Sequence, residues 1–264
     1  MRNCCHVEQR ALGTSGLSVS RLGWGTVKLG RNEALKYPEP FDLPDDASAI
    51  DIVLRMLDLG ITLIDTAPAY GVAQQRLGHA LGARRDDVVL VTKVGETFDP
   101  ATGRSLYAFD PESARASLEQ SLRLLRTDYV DLLLVHSDGN DLANQDDAFI
   151  ASLIDLRSSG LVRAIGFSGK TVAGHQHALA WSDAIMVPLS MDDTSHDDLV
   201  ATAAQHGVGV LVKKAINSGH LDAASALKWC WHEAPCAASI ASVVVGSLSP
   251  DRMAANAHVL SEQE

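Results

Sequence analysis

Basic charge is in short supply in this sequence: 22 lysines and arginines stand against 33 aspartates and glutamates, for a formal net charge of −11. Proteins that track nucleic-acid phosphates or an anionic bilayer carry a basic face, so nucleic acid and membrane are excluded as partners, and any anionic ligand needs a local cationic cluster. No apolar run approaches the roughly 18 residues of a membrane helix. The opening Met1-Arg2-Asn3-Cys4-Cys5-His6 also lacks the apolar stretch of an export signal. These absences predict a cytoplasmic protein that acts on small molecules. Cysteine is scarce as well. Cys4, Cys5, Cys230 and Cys236 make neither paired CxxC knuckles nor a disulfide framework. They read as reduced thiols, with Cys4-Cys5 in a flexible tail over residues 1–8.

What is present is core material, 46% hydrophobic residues over 264 positions, enough for one domain spanning 1–264. Gly13 and Gly16 punctuate Gln9–Ser20 and predict a hairpin ahead of the main fold, placed to plug one end of it. Apolar runs then alternate with amphipathic stretches of helical length. The strands are read at Val19–Trp24, Ile61–Asp65, Val88–Lys93, Val130–His136, Val162–Phe167, Ala184–Pro188, Val208–Val212 and Ser242–Val245. Helical patterns include Ala47–Leu59, Pro111–Leu125, Asp146–Ser158, His196–His206 and Asp222–Glu233. An open doubly wound sheet would place a GxGxxG turn after an early strand, and Gly23-Trp24-Gly25-Thr26 lacks that spacing. Eight strand–helix units predict an α/β fold of the (β/α)8 TIM-barrel type with a short N-terminal β-hairpin. The long irregular stretches Lys28–Asp45 and Gly95–Asp110 then fall at the catalytic mouth.

Three strands end in ionisable groups: Asp65 with Tyr70 just beyond, Lys93, and His136. Taken singly, each has an ordinary structural explanation. Together they are harder to dismiss, because C-terminal strand ends of a barrel converge on one mouth. A tyrosine is a weak acid at neutral pH, and a nearby ammonium such as that of Lys93 lowers its pKa. Asp65 would keep Lys93 charged despite burial, and His136 could donate a hydrogen bond to a substrate carbonyl. The group suits reduction or oxidation of C=O without a metal. His175 and His177, two apart in a helical segment, face different directions and make no metal site.

The segments Gly60-Ile61-Thr62-Leu63-Ile64-Asp65-Thr66-Ala67-Pro68-Ala69-Tyr70-Gly71, Val91-Thr92-Lys93 and Asp128-Tyr129-Val130-Asp131-Leu132-Leu133-Leu134-Val135-His136 resemble those of the aldo-keto reductases, over nearly the whole chain. That resemblance implies a barrel, NADPH in preference to NADH, and a catalytic group of Asp65, Tyr70, Lys93 and His136. In it Tyr70 protonates the carbonyl oxygen as hydride arrives, Lys93 and Asp65 tune Tyr70, and His136 orients the substrate.

Gly246-Ser247-Leu248-Ser249-Pro250-Asp251-Arg252 follows the last strand and opens a helix, where backbone N–H groups favour a phosphate and Arg252 can clamp an anion. By resemblance Gly246, Ser247 and Arg252 hold the adenosine 2′-phosphate side of the cofactor and Asn256 the adenine. Ser168 contacts the nicotinamide amide, although Gly169 stands where the family has Asn, Met186 where it often has Gln, and Leu189 where it often has an aromatic. Gly25, Thr26 and Asp65 are assigned to the cofactor as well. Of the adjacent Lys213 and Lys214, Lys214 is read as the phosphate contact. For a small carbonyl or sugar substrate, Trp24, Tyr107 and Phe109 provide apolar walls, and Ser137 with the polar residues after it provides hydrogen-bonding groups. Two other readings stay open: an NADPH-binding accessory barrel with little turnover, and an alcohol or aldose dehydrogenase running in the oxidative direction.

Overall fold

In the computed structural model, which describes residues 7–261, the predicted alternation closes into a barrel. A hairpin of β1 (Gln9–Ala11) and β2 (Ser18–Ser20) comes first, then β3 (Leu22–Gly25), α1 (Val27–Gly30), α2 (Asp46–Asp58), β4 (Leu63–Asp65), α3 (Ala73–Leu81) and β5 (Val89–Val94). A second hairpin, β6 (Glu96–Asp99) and β7 (Arg104–Tyr107), precedes α4 (Pro111–Leu125) and β8 (Val130–His136). The chain continues through α5 (Asp147–Ser158), β9 (Val162–Ser168), α6 (Val172–Ala178), β10 (Ala184–Pro188), α7 (Asp197–Gln205), β11 (Gly209–Lys213), α8 (Ala223–Lys228), β12 (Ser242–Val245) and α9 (Pro250–Ser261). Strands β3, β4, β5, β8, β9, β10, β11 and β12 pair in parallel all the way round, with β12 closing on β3. This is the eight-stranded (β/α)8 barrel expected.

Helix starts follow side-chain chemistry. Asp45, Asp110, Asp146, Thr171 and Asp222 each accept a backbone N–H of the first turn of the helix they precede. Pro111, directly after Asp110, fits the first helical position because its missing N–H has no partner to lose.

Side chains alternate across each strand and so make two cores. Leu63, Val91, Leu132, Leu134, Ala164, Ala184 and Leu211 point into the barrel, where Leu12, Leu17 and Val19 of the N-terminal hairpin join them from below. The hairpin thus plugs the barrel floor. Trp24, Ile64, Leu90, Leu133, Ile165 and Val210 point outward and pack against the helices.

Four boundaries differ from the sequence reading. The first predicted strand, Val19–Trp24, is divided: Val19 belongs to β2, and the chain turns at Arg21, which pairs with Glu8 at 2.7 Å and lies over the Trp231 ring at 4.2 Å. Val7 is buried and Glu8 holds Arg21, so the fold takes in both, while Cys4 and Cys5 lie outside the described residues. Gly95–Asp110 is not irregular, since most of it forms the β6–β7 hairpin over the mouth. Finally, α8 ends at Lys228 and continues as a wider π-type turn over Trp229–Glu233. Among the described residues no helix is long and apolar enough to cross a membrane.

Candidate active site

The inward-facing parity of the strands delivers the site. Leu63 points inward, so Asp65 at the end of β4 does too; by the same step of two, Val91 leads to Lys93, Leu134 to His136, Gly166 to Ser168 and Leu211 to Lys213. Together with Gly25, Tyr70, Glu96, Tyr107, Ser137, Lys214 and Gly246 they line one cavity of about 350 Å³ at the C-terminal face. Tyr70 ends a short turn, Pro68–Tyr70, whose carbonyl side is packed under α1. A Cβ on Gly30 would lie 2.4 Å from the Tyr70 carbonyl oxygen and 2.1 Å from Ala73 N, so only glycine permits that approach.

At the cavity floor the Lys93 ammonium donates to Asp65, to the Thr66 carbonyl at 3.0 Å and to the Tyr70 hydroxyl at 3.2 Å. The Tyr70 hydroxyl in turn donates to Asp65 Oδ2 at 3.3 Å. Asp65 and Lys93 are both buried, so their opposite charges in contact compensate each other for leaving water. Burial pushes the Lys93 pKa down, and the Asp65 carboxylate opposes that. Tyr70 corrects the sequence reading. Burial, followed by the charge of Asp65, raises its pKa well above the ordinary tyrosine value, so the resting phenol is fully protonated. The Lys93 ammonium, in contact with Asp65, does not bring the resting Tyr70 pKa down to the neutral range.

His136 presents its ring edge-on to Tyr70, with centroids 6.3 Å apart. Its Nδ1 lies 2.9 Å from Glu96 Oε2 of β6, out of line with an ideal ring N–H direction. Glu96 was not singled out in the sequence, because it lies in a stretch read as a loop, and only the hairpin brings it over the ring.

Lys213 was passed over for Lys214. Parity separates them: Lys213 continues the inward row of Leu211, and its ammonium donates to Ser168 Oγ at 2.9 Å. Burial, then the like charges of Lys214 and Lys93, bring its pKa down to about 7. Lys214 is exposed at the rim with φ at 62°, one of three left-handed non-glycine residues there beside Asn217 and Ser218. Such conformations persist only where surrounding structure imposes them, and they cluster at functional sites.

Several residues read as site groups lie elsewhere. Trp24 has the opposite parity to Gly25: it is fully buried in the outer core, and its Nε1 donates to the Ser247 carbonyl at 2.8 Å. It forms no wall of the cavity. Thr26 is buried and donates to the Asp65 carbonyl at 3.0 Å, tying β3 to β4 rather than lining the cavity. Phe109 packs against Phe149 and stacks on Tyr107, behind the lining. Ser137 does line the cavity, but its hydroxyl is taken up by Asp141, the Gly139 N–H and Asn144. Asp138 and Asp141 likewise bond within the loop and to residues 170–171. The polar groups after His136 therefore build the wall rather than present free acceptors. His175 is buried against the Thr171 carbonyl and His196, whereas His177 is exposed.

At the other end of the cavity, Gly25 and Gly246 leave backbone bare, and a Cβ on Gly246 would stand 3.1 Å from the Tyr37 hydroxyl. Beyond it Ser247 Oγ accepts the Ser249 N–H at 3.1 Å, and Ser249 Oγ accepts the Arg252 N–H at the start of α9. Arg252 is exposed and close enough to Lys28 to depress its pKa, after burial as the larger cause. Lys28, lying over the Tyr37 ring at 4.0 Å, is a second cation here that sequence reasoning missed. Asn256 is buried one turn further along α9. Two cations, bare glycines and a helix start fit an anionic, elongated cofactor running from this rim to the floor.

Comparison with known proteins agrees with this geometry. The solved structure of a putative aldo-keto reductase from Pseudomonas aeruginosa superposes with a TM-score of 0.87 at 40% identity, covering 98% of this chain and 96% of that one. The holo form of an aldo-keto reductase from Bacillus halodurans gives 0.83 at 26% identity over 98% and 92%. The NADH-specific methylglyoxal reductase of Escherichia coli is 31% identical over 80% of this chain and 68% of its own length, and the L-galactose dehydrogenase of Arabidopsis thaliana 30% over 84% and 70%. The family model described as Aldo/keto reductase family matches residues 21–228, and with the barrel and its strand-end residues this establishes that the chain belongs to the aldo/keto reductase family.

Proposed function

We propose that the protein reduces aldehyde or ketone groups with NADPH, using Tyr70 as the proton donor. The observation that carries this reading is the Tyr70 hydroxyl held between the Lys93 ammonium and Asp65 on the floor of the cavity. When bound, the reduced nicotinamide supplies the hydride to the carbonyl carbon. The chain's part is the proton. A carbonyl oxygen accepting the Tyr70 O–H takes that proton as negative charge develops, and the phenolate left behind faces the Lys93 ammonium. Asp65 keeps that ammonium charged in a buried setting. Run in reverse, the same groups take a proton from an alcohol, so direction follows the supply of substrate and cofactor.

Preference for NADPH rests on Arg252 and Lys28, two cations near each other at the α9 rim. Asp251 does not intervene, because it pairs with Arg55 at 2.8 Å. Fluorescence titration with NADPH and NADH, followed by a panel of aldehydes, ketones and aldoses monitored by nicotinamide absorbance, tests the proposal. Tighter NADPH binding and turnover that falls about 100-fold or more in Tyr70→Phe are expected. Binding without turnover by the wild type would make the protein an accessory cofactor-binding barrel.

A further inference from the structure

Lys93 and Lys213 both reach into the cavity, but their amines are not equally available. The three N–H groups of Lys93 are taken by Asp65, the Thr66 carbonyl and the Tyr70 hydroxyl, and the side chain is enclosed. Lys213 is partly open to the cavity and donates to Ser168 Oγ at 2.9 Å, with no carboxylate in ion-pair contact among the described residues. We propose that Lys213 is a nucleophile that captures small aldehydes as a reversible imine, a covalent site separate from hydride transfer. The inference goes beyond the reductase reading and needs neither turnover nor cofactor.

An amine attacks a carbonyl only through its lone pair, so a lysine nucleophile has to shed its proton near neutral pH. The fold arranges this for Lys213. Burial, then the like charges of Lys214 beside it and Lys93 from β5, outweigh Asp141 from the loop after β8 and Asp65 from β4, and bring its pKa down to about 7. His136 from β8, His175 from α6 and His196 ahead of α7 also face it, and burial holds all three imidazoles below their ordinary value. At pH 7 about half of Lys213 is then uncharged, against about 0.03% of an ordinary lysine. A weaker base is also a weaker nucleophile, which removes roughly half of that advantage on a logarithmic scale and leaves about 30-fold.

The step balances without a co-reactant. The Lys213 lone pair forms the C–N bond as the carbonyl π pair moves to oxygen, and a proton passing from nitrogen to that oxygen gives a carbinolamine. The nitrogen lone pair then forms the C=N bond, and the oxygen leaves as water with the second N–H proton. An imine nitrogen is less basic than the amine, so capture relieves the repulsion from Lys93 and Lys214. The cavity of about 350 Å³ has room for a small aldehyde.

Cyanoborohydride delivers hydride to the imine carbon and spares the aldehyde, so it fixes the adduct as a secondary amine. The full chain, with no cofactor added, is exposed briefly to butanal at pH 7, trapped, and mapped by peptide mass spectrometry. Lys213 is expected to take the first butyl group, about 30-fold faster than the exposed lysines. When the butanal pulse is given at a series of pH values before trapping, Lys213 labelling should level off above about 7, while that of the exposed lysines keeps rising. Lys214→Met removes one of the like charges, so it should move the Lys213 midpoint upward and slow labelling at pH 7. Lys213→Met and Lys213→Arg should both lose the fast site, and the arginine variant keeps the charge and the test if the methionine variant does not fold. Labelling of Lys213 no faster than the exposed lysines, or a midpoint near the ordinary 10.5, overturns the proposal. Turnover with NADPH but no adduct would keep the reductase reading and remove this one, and an adduct without turnover of any carbonyl would do the reverse.

Discussion

Two lysines end two strands of the same barrel and face the same cavity, yet their environments are opposite. Lys93 has a carboxylate in contact, a carbonyl at 3.0 Å and the Tyr70 hydroxyl at 3.2 Å. Lys213 has the Ser168 hydroxyl at 2.9 Å and no carboxylate in ion-pair contact among the described residues; burial, then two further ammonium groups, push its proton off, and the charges of Asp141 and Asp65 oppose that only in part. A paired buried charge is stable in place and holds the Tyr70 hydroxyl beside it. An unpaired one is a strained cation that gains from any anion or lone pair entering the cavity, which is what a site awaiting a phosphate-bearing cofactor offers.

The sharpest way to break this comparison is to remove each lysine in turn. Lys93→Met leaves Asp65 buried without the ammonium in contact with it, so unfolding free energy should fall by about 3–5 kcal/mol in denaturant titration, and turnover of the folded fraction should fall with it. Lys213→Met removes a cation whose nearby carboxylates, Asp141 and Asp65, do not offset its burial and the like charges around it, so the same titration should show no loss or a gain on the order of 1 kcal/mol. Equal losses for the two variants would show that Lys213 has a compensating partner after all.

The comparison can then be sharpened with pH. The folded pKa of Lys213, about 7, lies below the ordinary value of 10.5, so between those limits the unfolded chain binds more protons than the folded one. Its destabilising contribution is fully present below pH 7 and is lost as pH rises toward 10.5. The stability advantage of Lys213→Met over the wild type should therefore shrink across that window. Phosphate or cofactor binding in the wild type should weaken over the same range as the ammonium is lost. A smaller effect is expected at the far rim, where Arg252→Ala should weaken NADPH binding about tenfold and NADH binding much less. Equal weakening of both would remove Arg252 from the 2′-phosphate.

The fold was largely legible because its signals are local. Alternating apolar runs gave all eight barrel strands to within a few residues, and Asp110-Pro111 marked the start of α4. Asp65, Lys93 and His136 were visible because each follows an apolar run whose end the barrel directs to one face. Errors came where a neighbour remote in sequence decides. Trp24 looked like a pocket wall from composition, but counting in steps of two from Gly23 places it on the outer face. The same count applied to β11 would have chosen Lys213 over Lys214. Ser137 looked free to bind substrate because nothing in the chain announces that Asp141 and Asn144 will fold back onto it.

By itself, then, the sequence determined the barrel, the plug at its floor and the strand-end residues of its mouth, since strand period, helix caps and apolar runs act over a few residues. The tertiary structure alone decided which ammonium is paired, that Tyr70 rests as a strongly protonated phenol, and that Glu96 meets His136. Each of these depends on burial and on charges brought together from separate strands and a hairpin, and electrostatics inside a protein is set by distance in space rather than along the chain.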